Sequence, residues 1–265
     1  MKLRHPLSVL LLLACTVQTS ASFAGRPCED TQIDPNKIMK GLELAQKTKL
    51  KLDDAQAELA IIARVGQDLS QYHLRYSHLG LVRHETDGRW MVLHELNQCG
   101  TAESDLFVEG LGNFFMDDPF AFETMLLIPA PELQKKLLET IDSGQARQLH
   151  QRHYNMLAFA FSTRYQNSNQ WALEVLAAAQ ANDVKITQRE QAQAWLKLAA
   201  YQPETLHIPS LTRLGARMFR ANVSFDDHPF DRRMAGLIDT VTVESISRFL
   251  QTRDPQLQKI VLSYP

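Results

Sequence analysis

The chain has 265 residues, and its 28 Lys and Arg against 30 Asp and Glu leave a formal net charge of −2. A balance this close to neutral gives no footing to nucleic acid or an anionic membrane surface as partner. With 45% hydrophobic residues the chain can bury a core, and its length allows one large domain or two small ones. Repeats and low-complexity tracts are absent, and beyond the N-terminus no apolar run is long enough to cross a bilayer.

The first residues have the three parts of a secretory leader. Lys2 and Arg4 supply positive charge, Leu7 to Val17 is an apolar run of 11 residues, and Ser22-Phe23-Ala24 offers a small-residue exit. A membrane-spanning helix needs about 20 apolar residues, so the run reads as a signal peptide over 1–24. It implies a periplasmic or secreted protein of 25–265. The alternative is a lipoprotein anchored at Cys15, in the sequence Leu12-Leu13-Ala14-Cys15. Losing the leader takes the basic count to 26 and the net charge to −4.

Of the three cysteines, Cys15 leaves with the leader and Cys28 and Cys99 remain. A lone pair of thiols in an oxidising compartment tends to form a bridge, so a Cys28–Cys99 disulfide is expected; two buried free thiols are the alternative. No Cys-x-x-Cys spacing points to a redox or zinc site.

In chain order, Asn36 to Ala57 predicts a helix. Leu59 to Val65 predicts a buried strand, and Ser77 to Arg83 a second one alternating around Leu79 and Leu81. Thr86-Asp87-Gly88 is a hairpin turn, and Arg89 to Leu96 is the returning strand. Asp105 to Phe122 reads as short helical or irregular chain broken at Pro119, and Thr124 to Ile128 as a strand. Pro131 to Ser143 predicts a helix with Leu133, Leu137, Leu138 and Ile141 on one face. Tyr154 to Phe161 reads as a strand, Trp171 to Ala181 as a buried helix, and Gln188 to Ala200 as an amphipathic one. The last helix is Val243 to Leu250, capped by Thr242. The sum is an α+β protein with a small mixed or antiparallel sheet packed on helices. It reads as one exported domain with a core at about 58–181 and a helical C-terminal extension at about 182–265.

Three features carry possible chemistry: His78 opening a strand, His94-Glu95 closing the returning strand, and Asn167-Ser168-Asn169-Gln170 leading into the Trp171 helix. A nucleophile at a helix N-terminus gains from free backbone N–H groups and the helix dipole. A strand histidine can take its proton while a third polar group fixes the imidazole tautomer. Ser168, His78, and His94 or Glu95 supply those types. Tyr76, Asn167, Asn169 and Gln170 are the accompanying candidates for substrate contact.

From Leu59 to Ala179 the chain resembles the circularly permuted papain-like fold of YiiX-like proteins and lecithin retinol acyltransferase relatives. Ser77-His78-Leu79-Gly80 matches their strand histidine, His94 or Glu95 stands where the orienting residue belongs, and Asn167-Ser168-Asn169-Gln170-Trp171 resembles the helix start that carries their nucleophile. From Cys28 to Leu250 the chain also resembles an uncharacterised bacterial family of exported proteins, a domain of unknown function. Tyr165 to Trp171 and Phe225-Asp226-Asp227-His228-Pro229 carry that likeness. The papain-like resemblance implies an amidase, esterase or acyltransferase acting on peptidoglycan peptides or lipids. Backbone N–H groups at the start of the Trp171 helix would then stabilise the oxyanion.

The departure is Ser168, where those relatives have cysteine. A serine hydroxyl does not form a stable anion at a helix terminus as a thiol does and needs true general-base catalysis. Ser168 therefore reads as a working nucleophile, as the relic of a lost cysteine, or as a helix cap. The alternative to an enzyme is a non-catalytic periplasmic binding or assembly factor that keeps a degenerate papain-like cleft. No cofactor and no metal are expected: His78, His84 and His94 have no specific zinc spacing, and Asp226-Asp227-His228 reads as a turn. Arg213, Arg217 and Arg220 read as a solvated face, with an anionic envelope component as the minority view. Tyr76, Trp90 and Trp171 fit a core. The partner is an unknown envelope substrate or protein, and the chain is expected to be a monomer.

Overall fold

The computed structural model describes residues 34–117 and 119–264. The leader read at 1–24 and Cys28, with the expected Cys28–Cys99 bridge, lie outside the described residues. In chain order the elements are α1 (Pro35–Asp54), β1 (Leu59–Val65), β2 (His78–His84), β3 (Trp90–Asn97), β4 (Ser104–Gly110), α2 (Leu111–Met116), β5 (Ala121–Ile128), α3 (Pro131–Asp142), α4 (Gln145–Gln148), α5 (Ser168–Gln180), α6 (Arg189–Leu198), β6 (Glu204–His207), α7 (Ser210–Phe219), α8 (Phe230–Met234), β7 (Leu237–Thr240), α9 (Val243–Arg253) and β8 (Gln258–Ser263).

Six strands form one sheet in the order β4-β3-β2-β1-β5-β8, every neighbouring pair antiparallel; β6 and β7 make a separate ribbon. Strand side chains alternate between faces, and here both faces are covered. Leu59, Ile61, Ala63, Leu79, Leu81 and Leu93 turn toward the helical layer of α3, α5, α6 and α9. Ala60, Ile62, Val82 and Val92 turn toward α1 and α2. The central strand β1 is buried at all seven positions, which is why its sequence is a continuous apolar run rather than an alternation.

Local chemistry sets the helix ends. Asp34 accepts from Asn36 N at 2.9 Å at the start of α1, and Pro35 takes the first position, where a missing N–H costs nothing. Helix α9 begins with a reciprocal box in which Thr242 Oγ1 accepts from Ser245 N at 3.1 Å and Ser245 Oγ accepts from Thr242 N at 3.0 Å. Helix α5 is buried along nearly its whole length, with Trp171, Leu173, Val175 and Leu176 fully enclosed.

Four sequence readings change or are narrowed. The segment 105–122, expected to be short helical or irregular chain, does hold the short helix α2 but also the strand β4, which was not expected. The run Tyr154 to Phe161 is not a strand. It makes isolated bridges, and side chains serve part of its backbone: Asp227 Oδ2 accepts from Phe159 N at 2.8 Å and Asn155 Oδ1 from Leu157 N at 3.2 Å. The sheet, read as mixed or antiparallel, is antiparallel throughout. The stretch after 182, read as a helical extension, holds the β6–β7 ribbon and returns β8 to the main sheet beside β5, with Leu126 opposite Ile260. Among the described residues no helix is long and apolar enough to cross a membrane.

Candidate functional site

Position 78 opens β2 and position 94 lies near the end of β3. Both are even-numbered on strands whose even positions face α1 and α2. Leu81 pairs with Leu93, so Gly80 stands opposite His94 and His78 lies one step further along the same face. Gly80 makes the closeness possible. A Cβ there would come within 2.7 Å of Val92 Cγ1 and 3.0 Å of His94 Cβ. With that space kept empty, His78 Nε2 and His94 Nδ1 meet at 2.9 Å.

Strand β4 supplies the third member. Glu109 pairs with Val92, and its Oε1 lies 3.0 Å from His94 Nε2, inside ion-pair range though bent from hydrogen-bond geometry. A carboxylate at Nε2 favours the His94 tautomer protonated there, which makes Nδ1 the acceptor and His78 Nε2–H the donor. The chain Glu109–His94–His78 thus holds its protons in one order, as the orienting arm of a catalytic base requires. Around it, Phe114 of α2 has ring centroids 5.5 Å from His94 and 6.0 Å from His78, and the Arg64 guanidinium lies 4.9 Å above the Phe114 ring. Arg64 also donates to Phe114 O and pairs with Asp117. His78 and His94 are both buried.

Ser168 is elsewhere. It is the first residue of α5, which packs on the face of Leu79, Leu81 and Leu93, so the sheet lies between Ser168 and His78. The Ser168 hydroxyl lies 3.5 Å from Tyr154 Oη, a long contact. The cap itself is Asn167, whose Oδ1 accepts from Gln170 N at 2.8 Å while its Nδ2 donates to Thr240 Oγ1 at 3.1 Å. Asn167→Ala is expected to cost about 2 kcal/mol, roughly half from the cap and half from the lost link to Thr240. A chemical denaturation midpoint unchanged from wild type would contradict that.

The other expected site residues separate in the same way. Glu95 has the opposite parity to His94 and turns to the α5 side, so of the two orienters read from sequence only His94 meets His78. Glu95 is fully buried, and its oxygens have no hydrogen-bond partner of good geometry among the described residues. Burial pushes its carboxyl up to about 8; the Ser104 hydroxyl and Arg189 pull the other way, and Glu174 adds to the rise. Tyr76 is a tie: its hydroxyl donates to Glu123 Oε1 at 2.9 Å and its N–H to Glu244 Oε1 at 2.9 Å. Burial, then the Glu123 bond, pushes that phenol up. Gln170 is buried and spends its amide on Phe159 O and Ala160 O. Asn169 Oδ1 is buried at the start of α5 without a hydrogen-bond partner among the described residues. His84, at the far end of β2 and about 20 Å along the strand from His78, stacks on Trp90 with centroids 4.8 Å apart. No group of three or more metal-ligating side chains occurs among the described residues.

Sequence reading missed Glu109, because β4 itself was missed, and it missed Arg64, Phe114 and Asp117. Asp226-Asp227-His228 is the turn read from sequence, with His228 N donating to Phe225 O at 3.4 Å, but the burial of the Asp227 and His228 side chains was not foreseen. Both are fully enclosed, with His228 Nδ1 3.0 Å from Asp227 Oδ1. Burial of adjacent charged residues before a proline leaves no periodic signal.

No curated protein and no solved structure matches the chain. Residues 51–250 match a family of uncharacterised proteins conserved in bacteria, DUF2145. That match takes in the seven-residue strand that His78 opens, α5 and the Asp227–His228 pair, and with it the chain belongs to this family.

Proposed function

We propose that the protein is an exported cell-envelope factor with a permuted papain-like core that binds or helps assemble an envelope component without covalent chemistry at Ser168. The observation that carries the reading is the sheet between Ser168 and His78: a nucleophile and its base must come within about 3 Å of each other, and these two stand on opposite faces. Capping supplies a sufficient reason for the polar helix start, since Asn167 does that work. The leader read at 1–24 supports a periplasmic location.

A second reading, a serine-variant amidase, esterase or acyltransferase, draws on the Glu109–His94–His78 chain, which has the order of a triad's orienting arm. Labelling decides between them. The purified protein is expected to stay unlabelled at Ser168 by a fluorophosphonate. Labelling at Ser168 that His78→Ala abolishes would overturn the binding reading in favour of the hydrolase. Recovery of the unprocessed chain in the cytoplasm would overturn export.

A further inference from the structure

Helix α7 is amphipathic in sequence but is mounted with its apolar face outward. Leu211 and Leu214, three residues apart and so on one face, are 83% and 58% exposed. The inward side carries Arg213, which is buried: Nη1 donates to Ile208 O at 3.2 Å and Nη2 to Ser210 Oγ at 3.2 Å. Ala216 packs on the small cluster of Leu206, Ile208, Val223, Phe225 and Ile238. Helix α8 shows the same inversion. Phe230 and Met234, four residues apart, are 70% and 61% exposed. The two helices meet where Ile208 N donates to Gly236 O at 2.9 Å, just before α7 and just after α8, and Arg213 reaches the same glycine.

Charge around these apolar side chains is segregated. Residues 209–236 hold five arginines (Arg213, Arg217, Arg220, Arg232 and Arg233) and three acids, in a chain whose net charge is negative. Two of the acids are already engaged, Asp226 with Arg164 at 2.8 Å and Asp227 with His228, and so is Arg232, whose Nε donates to Asp239 Oδ2 at 2.8 Å. Arg220 is exposed, and the half-exposed Arg233 donates through Nη1 to Phe225 O at 3.2 Å while its guanidinium sits 5.7 Å from the Phe230 ring. Two clefts of the fold, one beside Trp90 and one beside Tyr264, are lined by other elements. Four large apolar side chains on short surface helices, bordered by arginines, suit a plane of lipid headgroups. Their apolar parts can enter the acyl boundary while the guanidinium groups stay with the phosphates.

We propose that the outer face of α7 and α8 docks on an anionic bilayer surface, with Leu211, Leu214, Phe230 and Met234 inserting and Arg220 and Arg233 facing lipid phosphate. The export reading determines only which membranes the chain meets; the docking itself is tested without it.

Purified full chain is mixed with sucrose-loaded vesicles of phosphatidylglycerol and phosphatidylethanolamine, or of phosphatidylcholine alone, and sedimented. Wild type is expected to sediment with the anionic vesicles, to release as salt is raised, and to stay in solution with phosphatidylcholine. Leu214→Asp and Phe230→Asp are each expected to weaken vesicle binding by about tenfold or more, with an unchanged thermal midpoint showing an intact fold. Equal binding to both vesicle types, or unaltered binding by both variants, overturns the proposal. So does a wild-type dimer by light scattering that Leu214→Asp dissociates, with no vesicle binding; that result would assign the face to a second copy of the chain.

Discussion

Arg189→Met is expected to lower the unfolding free energy by about 3–5 kcal/mol, because it strands a buried carboxylate. Arg189 Nε and Nη2 reach the two oxygens of Glu174 at 2.7 and 3.0 Å, with side chains 7% and 0% exposed. Gln193 Nε2 and Gln166 Nε2 donate to the same carboxylate at 2.9 and 2.7 Å. Four donors and no acceptor suit an ionised Glu174, even though burial, the largest influence, pushes its carboxyl upward. Arg189 also ties down the preceding loop through Thr163 O at 3.1 Å and Ser162 O at 3.4 Å. Adding Glu174→Gln to Arg189→Met removes the stranded charge, so the double variant is expected to recover more than half of the loss. Denaturant unfolding with a constant slope measures both. A single-variant loss under about 1 kcal/mol would mean that water reaches Glu174 and the pair is not a closed one.

Glu95→Gln is expected to change how stability depends on pH. The folded state holds a proton on Glu95 up to about pH 8, whereas the unfolded chain releases it near the ordinary value of 4.5. Between those values the folded state carries the extra proton, so its stability falls as pH rises, by about 1.4 kcal/mol per unit. Below 4.5 both states are protonated and the contribution is constant; above 8 both are ionised and the penalty is complete. Glutamine has the same shape and no charge. Its stability relative to wild type should therefore climb between pH 5 and 8 and level off above, a total swing on the order of 3–5 kcal/mol. The amide adds an offset that does not vary with pH, so the slope is the readable quantity. Identical pH profiles for the two proteins would show that Glu95 is hydrated or paired.

How much of this was legible in the sequence depends on which physical signal each element left. The β1–β2–β3 unit showed itself through the apolar run of β1, the alternation around Leu79 and Leu81 and the Thr86-Asp87-Gly88 turn. α3 showed a one-sided leucine stripe behind Pro131. β4 did not show, since Ser104–Gly110 is half-exposed and mixes acids with Phe107 and Val108. Tyr154 to Phe161 misled because its aromatics and alanines imitate a buried strand, while the backbone partners that forbid one come from Asp227 and Asn155, far off in sequence or on side chains. In the site, the meeting of His78 with His94 could be anticipated from the hairpin register. The separation from Ser168 could not. With both faces of the sheet buried, alternation tells which residues share a side but not which helix covers that side. Parity alone put Glu95 opposite His94, and only the packed layers decided that α5 lies with Glu95.

The place of β8 has a kinetic consequence. β5 at 121–128 remains an open edge until 258–263 arrive to cover it, with Glu123 opposite Ser263 and Ile128 opposite Gln258. Some 130 residues of intervening chain must be gathered before this pairing can form, and pairings of such long separation are entropically late. The sheet therefore closes as nearly the last act of folding. During that interval Leu126 and its neighbours present a sticky, unpaired border, a hazard for aggregation that any chaperone acting on this chain would have to shield.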